Sequence, residues 1–162
     1  MADSLGGDRA AGIAAAAIVA GAGLAMVAGL ISGLALDFPT VDVRFRIKTI
    51  ALSSSSAAFF GSVLTGAFVV GVALLLALAL ANSAPLATAA VVRQAATILA
   101  GLLAIATAAA LVVDLILLSD RTVFSEEINR ASVSTIALAD LVSLIVVATA
   151  ALMGAKGTRG ES

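Results

Sequence analysis

Long apolar stretches alternate with short polar ones along this chain, and the gaps between charged residues measure the apolar stretches. A helix crossing about 30 Å of hydrocarbon needs roughly 20 apolar residues. No charge occurs between Arg9 and Asp37, and 12–36 is long enough to span with some tilt. The next uncharged gap, 49–92, is too long for one crossing. It is divided by Asn82-Ser83-Ala84-Pro85, a turn signal whose proline is placed to begin a new helix. A second helix is therefore predicted over 57–81 and a third over 86–118, ended by Ser119-Asp120-Arg121. Ser125 followed by Glu126 and Glu127 reads as an N-cap with acidic residues at the positive end of a helix dipole, opening a fourth helix over 126–153. The pattern predicts an all-α integral membrane protein with four transmembrane helices in one domain, flanked by tails 1–11 and 154–162.

The first helix is expected to be retained rather than cleaved. Its leader carries Asp3 and Asp8 against Arg9, and its apolar run is about twice that of a signal peptide. An even number of crossings puts both termini on one side. Arg9, Arg93, Lys156 and Arg159 then oppose Arg44, Arg46, Lys48, Arg121 and Arg130, so basic-residue bias hardly decides the orientation. The connection between helices 2 and 3 is tight, whereas the other two are longer and more polar. That shape places both termini in the cytoplasm, in a multi-pass protein of the plasma membrane.

Residues 41–48 alternate apolar and charged side chains, the period of a strand. Val41, Val43, Phe45 and Ile47 would share one face, with Asp42, Arg44, Arg46 and Lys48 on the other. A lone strand needs a pairing partner, and Arg121-Thr122-Val123-Phe124 is the candidate. A small extracytoplasmic sheet from the first and third connections is expected, with Arg44, Phe45, Arg46 and Lys48 presented to a partner protein. An interfacial segment with its charges at lipid headgroups fits the same period.

Small residues spaced by four let helices approach closely in lipid. Helix 1 carries Ala17, Gly21, Ala25, Gly29 and Gly33, helix 3 carries Ala96, Ala100, Ala104 and Ala108, and helix 4 carries Ala131, Thr135, Ala139 and Ser143. These rows serve either the chain's own four-helix core or a partner face. The leucine-rich runs 72–80 and 111–118 are expected to face lipid.

Two acidic residues interrupt the apolar runs, and ionisable groups inside a membrane are functional candidates by default. Folding helix 3 onto helix 4 is expected to bring Asp114 level with Arg130 as an ion pair. Asp140 lies ten residues beyond Arg130, near the membrane middle, where no basic residue matches its depth. It is expected to hold its proton there, with Thr65, Thr107 and Ser143 at similar depth as hydrogen-bond partners. A structural donor, a contact with a partner subunit, and a proton or cation site all remain open for it.

Composition narrows the chemistry. The chain is 62% hydrophobic and 12% charged, and it has no His, Cys, Trp or Tyr. Histidine acid–base chemistry, thiol chemistry and the commonest metal ligands are thereby excluded. A net charge of −1 from scattered residues gives no nucleic-acid surface. No nucleophile–base pair, metal cluster or phosphate loop is present, so neither catalysis nor a cofactor is expected. Ser53 to Ser56 read as helix capping. A complete carrier would need broken helices and repeats, and a pore would need polar rings from several copies. The favoured reading is a non-catalytic accessory or scaffold subunit of a larger membrane transport complex, bound to other integral membrane proteins. The alternative is a small homo-oligomeric channel or proton-coupled transporter using Asp140.

Four helices, a strand-bearing loop at 41–48 and a shorter one at 122–124 resemble the architecture of claudins and receptor auxiliary subunits. The Trp and Cys signature of the claudin first loop is absent, so the likeness is architectural. The alanine-rich, cysteine-free style is similar to actinobacterial membrane proteins, and the whole chain resembles the LucB-type accessory subunits of mycobacterial Mce lipid-import complexes. That resemblance implies permease subunits of an ATP-driven importer of fatty acids or related lipids as partners. It carries over no site residues.

Overall fold

The structure, a computed structural model, describes residues 2–35, 42–44, 49–51, 54–119 and 130–159, with side chains over 6–28, 66–112, 114–116, 118–119, 134–135 and 137–157. Four helices account for nearly all of it: α1 (Ala2–Ala35), α2 (Ser54–Ala81), α3 (Leu86–Ser119) and α4 (Arg130–Arg159). Gly6–Ala28, Leu86–Ile116 and Ala137–Gly157 are each long and apolar enough to cross a membrane, and the described side chains of α2 add a shorter apolar stretch, Gly66–Ala81. The chain is therefore a helical membrane protein.

The turn between α2 and α3 forms where its sequence predicts. The amides of Asn82, Ser83 and Ala84 donate to the carbonyls of Ala79, Leu80 and Ala81, closing the end of α2 in tight turns. Pro85 then offers its carbonyl to the Ala89 amide as α3 begins. Two helix ends differ from expectation. α1 starts at Ala2 rather than near 12, and α4 continues past Met153 to Arg159. Gly6, Gly7, Gly154 and Gly157, which fall in the expected tails, all lie inside helices. For Gly154 and Gly157 the compensation is contact, since both sit directly against α3.

α1 touches α2 and α3 but, among the described residues, not α4, so α1 and α4 flank the α2–α3 pair on opposite sides. Three close approaches fix the arrangement. Gly12 sits against Ala84, Pro85 and Thr88. At Gly71 of α2 an added Cβ would lie 2.9 Å from Val147 Cγ2 and 3.0 Å from Val146 Cγ1 of α4. At Gly154 of α4 it would collide with the Thr97 hydroxyl of α3.

The interior is built mainly from small side chains. Ala15, Ala22, Ala67, Ala77, Ala81, Ala89, Ala96, Ala100, Ala137 and Ala150 are buried, while Leu24, Leu76, Leu102, Ile105, Leu115 and Ile145 are exposed. Large aliphatic groups outside and alanine inside is an arrangement that a hydrocarbon solvent permits, because lipid tails are as apolar as leucine. The run 72–80 divides accordingly: Val72 and Leu76 face outward as expected, whereas Leu74 and Leu78 turn into the core. A run that is apolar on every side does not reveal which face packs.

β1 (Asp42–Arg44) and β2 (Thr49–Ala51) form a two-stranded antiparallel hairpin, with Val43 opposite Ile50. Of the alternating segment 41–48 the described part, 42–44, is a strand, and it pairs with 49–51 close by in sequence. The expected partner, 121–124, lies outside the described residues, as do Phe45, Arg46 and Lys48 and the side chain of Arg44. Local pairing closes a far shorter loop than pairing with 121–124 would, so it loses less chain entropy.

Gly71→Ala and Gly154→Ala should each lower the unfolding free energy in detergent by about 1–3 kcal/mol, the usual cost of overpacking. Gly21→Ala, where a Cβ would meet nothing within 4 Å, should be neutral or stabilise by up to about 1 kcal/mol. Thermal unfolding of the three variants side by side tests this contrast.

Candidate functional site

The seam between α3 and α4 is the most extensive helix contact in the molecule. Its antiparallel register is anchored at one end, where Gly157 packs on the Arg93 side chain and Gly154 on Thr97. Arg93 Nη2 also donates to Asn82 Oδ1 at 3.2 Å, tying the seam to the α2–α3 turn. The Thr97 hydroxyl, facing Gly154, donates to the Arg93 carbonyl at 2.7 Å.

Followed toward the other end, that register brings Asp114 of α3 against Asp140 of α4, and their carboxyl groups interact across the seam. Asp140 is 0% exposed and Asp114 8%. Both Asp140 oxygens and Asp114 Oδ2 lack a hydrogen-bond partner. Buried polar atoms are ordinarily paired, and an unpaired one carries a full desolvation penalty of about 1–3 kcal/mol, more when charged.

Thr107 and Ser143 are buried on the same seam, at 3% and 2% exposure. Neither serves Asp140 as expected. Thr107 Oγ1 donates to the Leu103 carbonyl and Ser143 Oγ to the Ala139 carbonyl, each at 2.8 Å, so their hydroxyl hydrogens are committed to their own helices. In an apolar seam the nearest strong acceptor is the carbonyl four residues back, and it outcompetes a side chain on the next helix. Thr65 belongs to α2, six residues before Gly71, just as residue 141 stands six before Val147. The Gly71–Val147 contact therefore sets Thr65 near the depth of Asp140, although its side chain lies outside the described residues.

Of the expected Asp114–Arg130 pair, only the Asp114 side chain is among the described residues. Arg130, the first residue of α4, is ten residues from Asp140, roughly 15 Å along the helix at about 1.5 Å per residue. Its side chain lies outside the described residues. The signal that places Asp140 was present in α4 as a three-and-four-spaced row, Ala137, Asp140, Ser143, Val147, Ala150 and Gly154, all buried. The strictly four-spaced row drifts off this face: of its described members, Thr135 and Ala139 are exposed and Ser143 is buried.

The small-residue row of α1 behaves differently. α1 packs on α2 and α3 through Gly12, Ala15, Val19 and Ala22, whereas Ala17, Gly21 and Ala25 point away from the bundle. Gly29 and Gly33 lie in α1 beyond the described side chains. Of the two roles open to the row, service in the chain's own core is not the one taken by its described members.

Among the described residues no group of three His, Cys, Asp or Glu converges as a metal site. Beyond Ser143 the seam becomes apolar, lined by Leu103, Ala100, Val147 and Ala150, all buried. Compared with protein-family models, with curated proteins and with solved structures, the chain matches none.

The facing pair should emerge as energetic coupling. Asp114→Asn and Asp140→Asn combined should deviate from additivity by about 0.5–3 kcal/mol, whereas Asp114→Asn with Arg130→Gln should add within about 0.5 kcal/mol. Reversible unfolding of single and double variants in detergent reads both cycles.

Proposed function

We propose that this chain is a non-catalytic accessory or scaffold subunit that spans the membrane four times and docks onto a separate integral membrane protein through the outer face of α1. The observation that carries the reading is the outward row Ala17, Gly21 and Ala25. A helix exposing glycine and alanine at spacing four offers another transmembrane helix a close backbone approach. The bundle does not use this row, and α1, lying off α4, has an open flank. Gly29 and Gly33 extend the four-residue spacing toward the end of α1, drifting about 40° around the helix at each step.

In this reading both termini are cytoplasmic and the protein resides in the plasma membrane. The β1–β2 hairpin is then extracytoplasmic, with Arg44, Phe45, Arg46 and Lys48 as a second contact for the partner. Likeness to the accessory subunits of Mce complexes makes the permease subunits of an ATP-driven lipid importer the first partners to examine. A through-channel is disfavoured by the apolar stretch of the α3–α4 seam beyond Ser143.

Extraction in mild detergent should return the chain together with a larger membrane protein. Gly21→Leu with Ala25→Leu should reduce that recovery about tenfold or more, as loss of about 1.4 kcal/mol of binding would. The same pair should leave the chain's own thermal unfolding unchanged, because both positions are outside its core. Recovery of a free monomer, or of a homo-oligomer alone, would contradict the docking reading.

A further inference from the structure

The Asp114–Asp140 pair is independent of the α1 face and has a chemistry of its own. Two carboxyl groups turned toward one another in a water-poor interior do not both ionise, because each charge repels the other and neither is solvated. Three of their four oxygens have no hydrogen-bond partner, and one member is fully buried. The neighbouring hydroxyls of Thr107 and Ser143 have spent their hydrogens on backbone carbonyls. Among the described side chains, the acceptor facing a protonated Asp140 is the Asp114 carboxyl itself, so the pair is built to hold one shared proton.

Among the described side chains, no basic residue stands beside the pair; Asp120, Arg121, Glu126, Glu127 and the Arg130 side chain, toward the end where α3 stops, lie outside the described residues. The sequence of α2 contains no ionisable residue. On α3 the other charge is Arg93, and on the far part of α4 are Lys156 and Arg159, all at the end of the bundle where the α2–α3 turn lies. α1 bears Asp3, Asp8 and Arg9 at that same end and, among the described residues, does not touch α4. Arg130 stands about 15 Å along α4.

Toward the α2–α3 turn the pair is closed off. Asp114 is five residues from Ser119, where α3 ends, about 7–8 Å along the axis. In the other direction Leu103, Ala100, Val147 and Ala150 close the seam with apolar side chains. We propose that Asp114 and Asp140 form a proton-binding site that exchanges protons only with the side of the membrane on which α3 ends and α4 begins. Asp114, the slightly exposed member, receives the proton and Asp140 shares it. No bond other than O–H is made or broken, and the proton returns by the same route.

The full chain in lipid nanodiscs, followed by the infrared band of protonated carboxyl groups and referenced to the Asp114→Asn/Asp140→Asn double variant, tests the site. Between about pH 4 and about pH 10 the wild-type band should titrate in two steps separated by more than about one pH unit, the behaviour of strongly interacting groups. Asp114→Asn and Asp140→Asn should each leave one step, with its midpoint displaced by about one unit or more. In sealed vesicles sorted by the accessible side of a C-terminal tag, a pH jump on the side opposite that terminus should change the band and a jump on the tag side should not. The proposal fails if the band is constant across the range, if the single-variant curves sum to the wild-type curve, or if jumps from both sides act equally. Midpoints that move with sodium or calcium concentration would also overturn it, by making the occupant a metal cation.

Discussion

Helices already in lipid gain nothing from hiding apolar surface, so what holds them together is how closely their backbones approach. Every long-range relation in this protein depends on that constraint. Gly71 admits Val146 and Val147, Gly154 admits Thr97, and Gly12 admits the α2–α3 turn. Where backbones come this near, the seam can be filled by alanine and has no need of leucine. The depth at which any polar residue sits is then set by these contacts rather than by its own solvation.

The two aspartates illustrate that subordination. Neither would choose to face the other, and their sequence positions suggest different roles. They meet because glycine contacts far down the seam fix the pairing of α3 with α4, and a shift of one turn would separate them. The bundle imposes an electrostatically unfavourable neighbour on each acid. Strain of this kind persists only where surrounding packing determines the geometry. The α1 row is the opposite case, a surface suited to close packing that the chain leaves open.

The helices and the α2–α3 turn were legible in sequence because their signals are local: uncharged length, and an Asn-Ser-Ala-Pro punctuation mark. Helix ends were less so, since a glycine that breaks a helix in water is tolerated where a neighbouring helix rests on it, as Gly154 and Gly157 show. The choice of packing face was the least legible. In a chain this rich in alanine, rows at spacing four occur on several faces, and Gly21 belongs to one that the bundle does not use. Asp114 was matched to Arg130 by counting residues from an assumed loop, a count that gave no hint of Asp140 as its neighbour. Counting from Thr97–Gly154 sets Asp114 level with residue 137, within one turn of Asp140, but that contact is tertiary and leaves no mark at either aspartate. Asp140 could be singled out from sequence as buried and acidic, while its partner could not.

An interior of alanine has a further consequence for how the bundle assembles. Alanine has no rotamers to lose, whereas leucine, isoleucine and methionine each surrender about 0.5–2 kcal/mol of side-chain entropy when immobilised. By keeping Leu24, Ile98, Leu102, Ile105, Leu138 and Ile145 on the outside, the chain leaves its flexible side chains among equally mobile lipid tails. The helices can therefore close on one another with little side-chain freezing. Order in this molecule resides in its backbones, and its surface remains as fluid as the solvent around it.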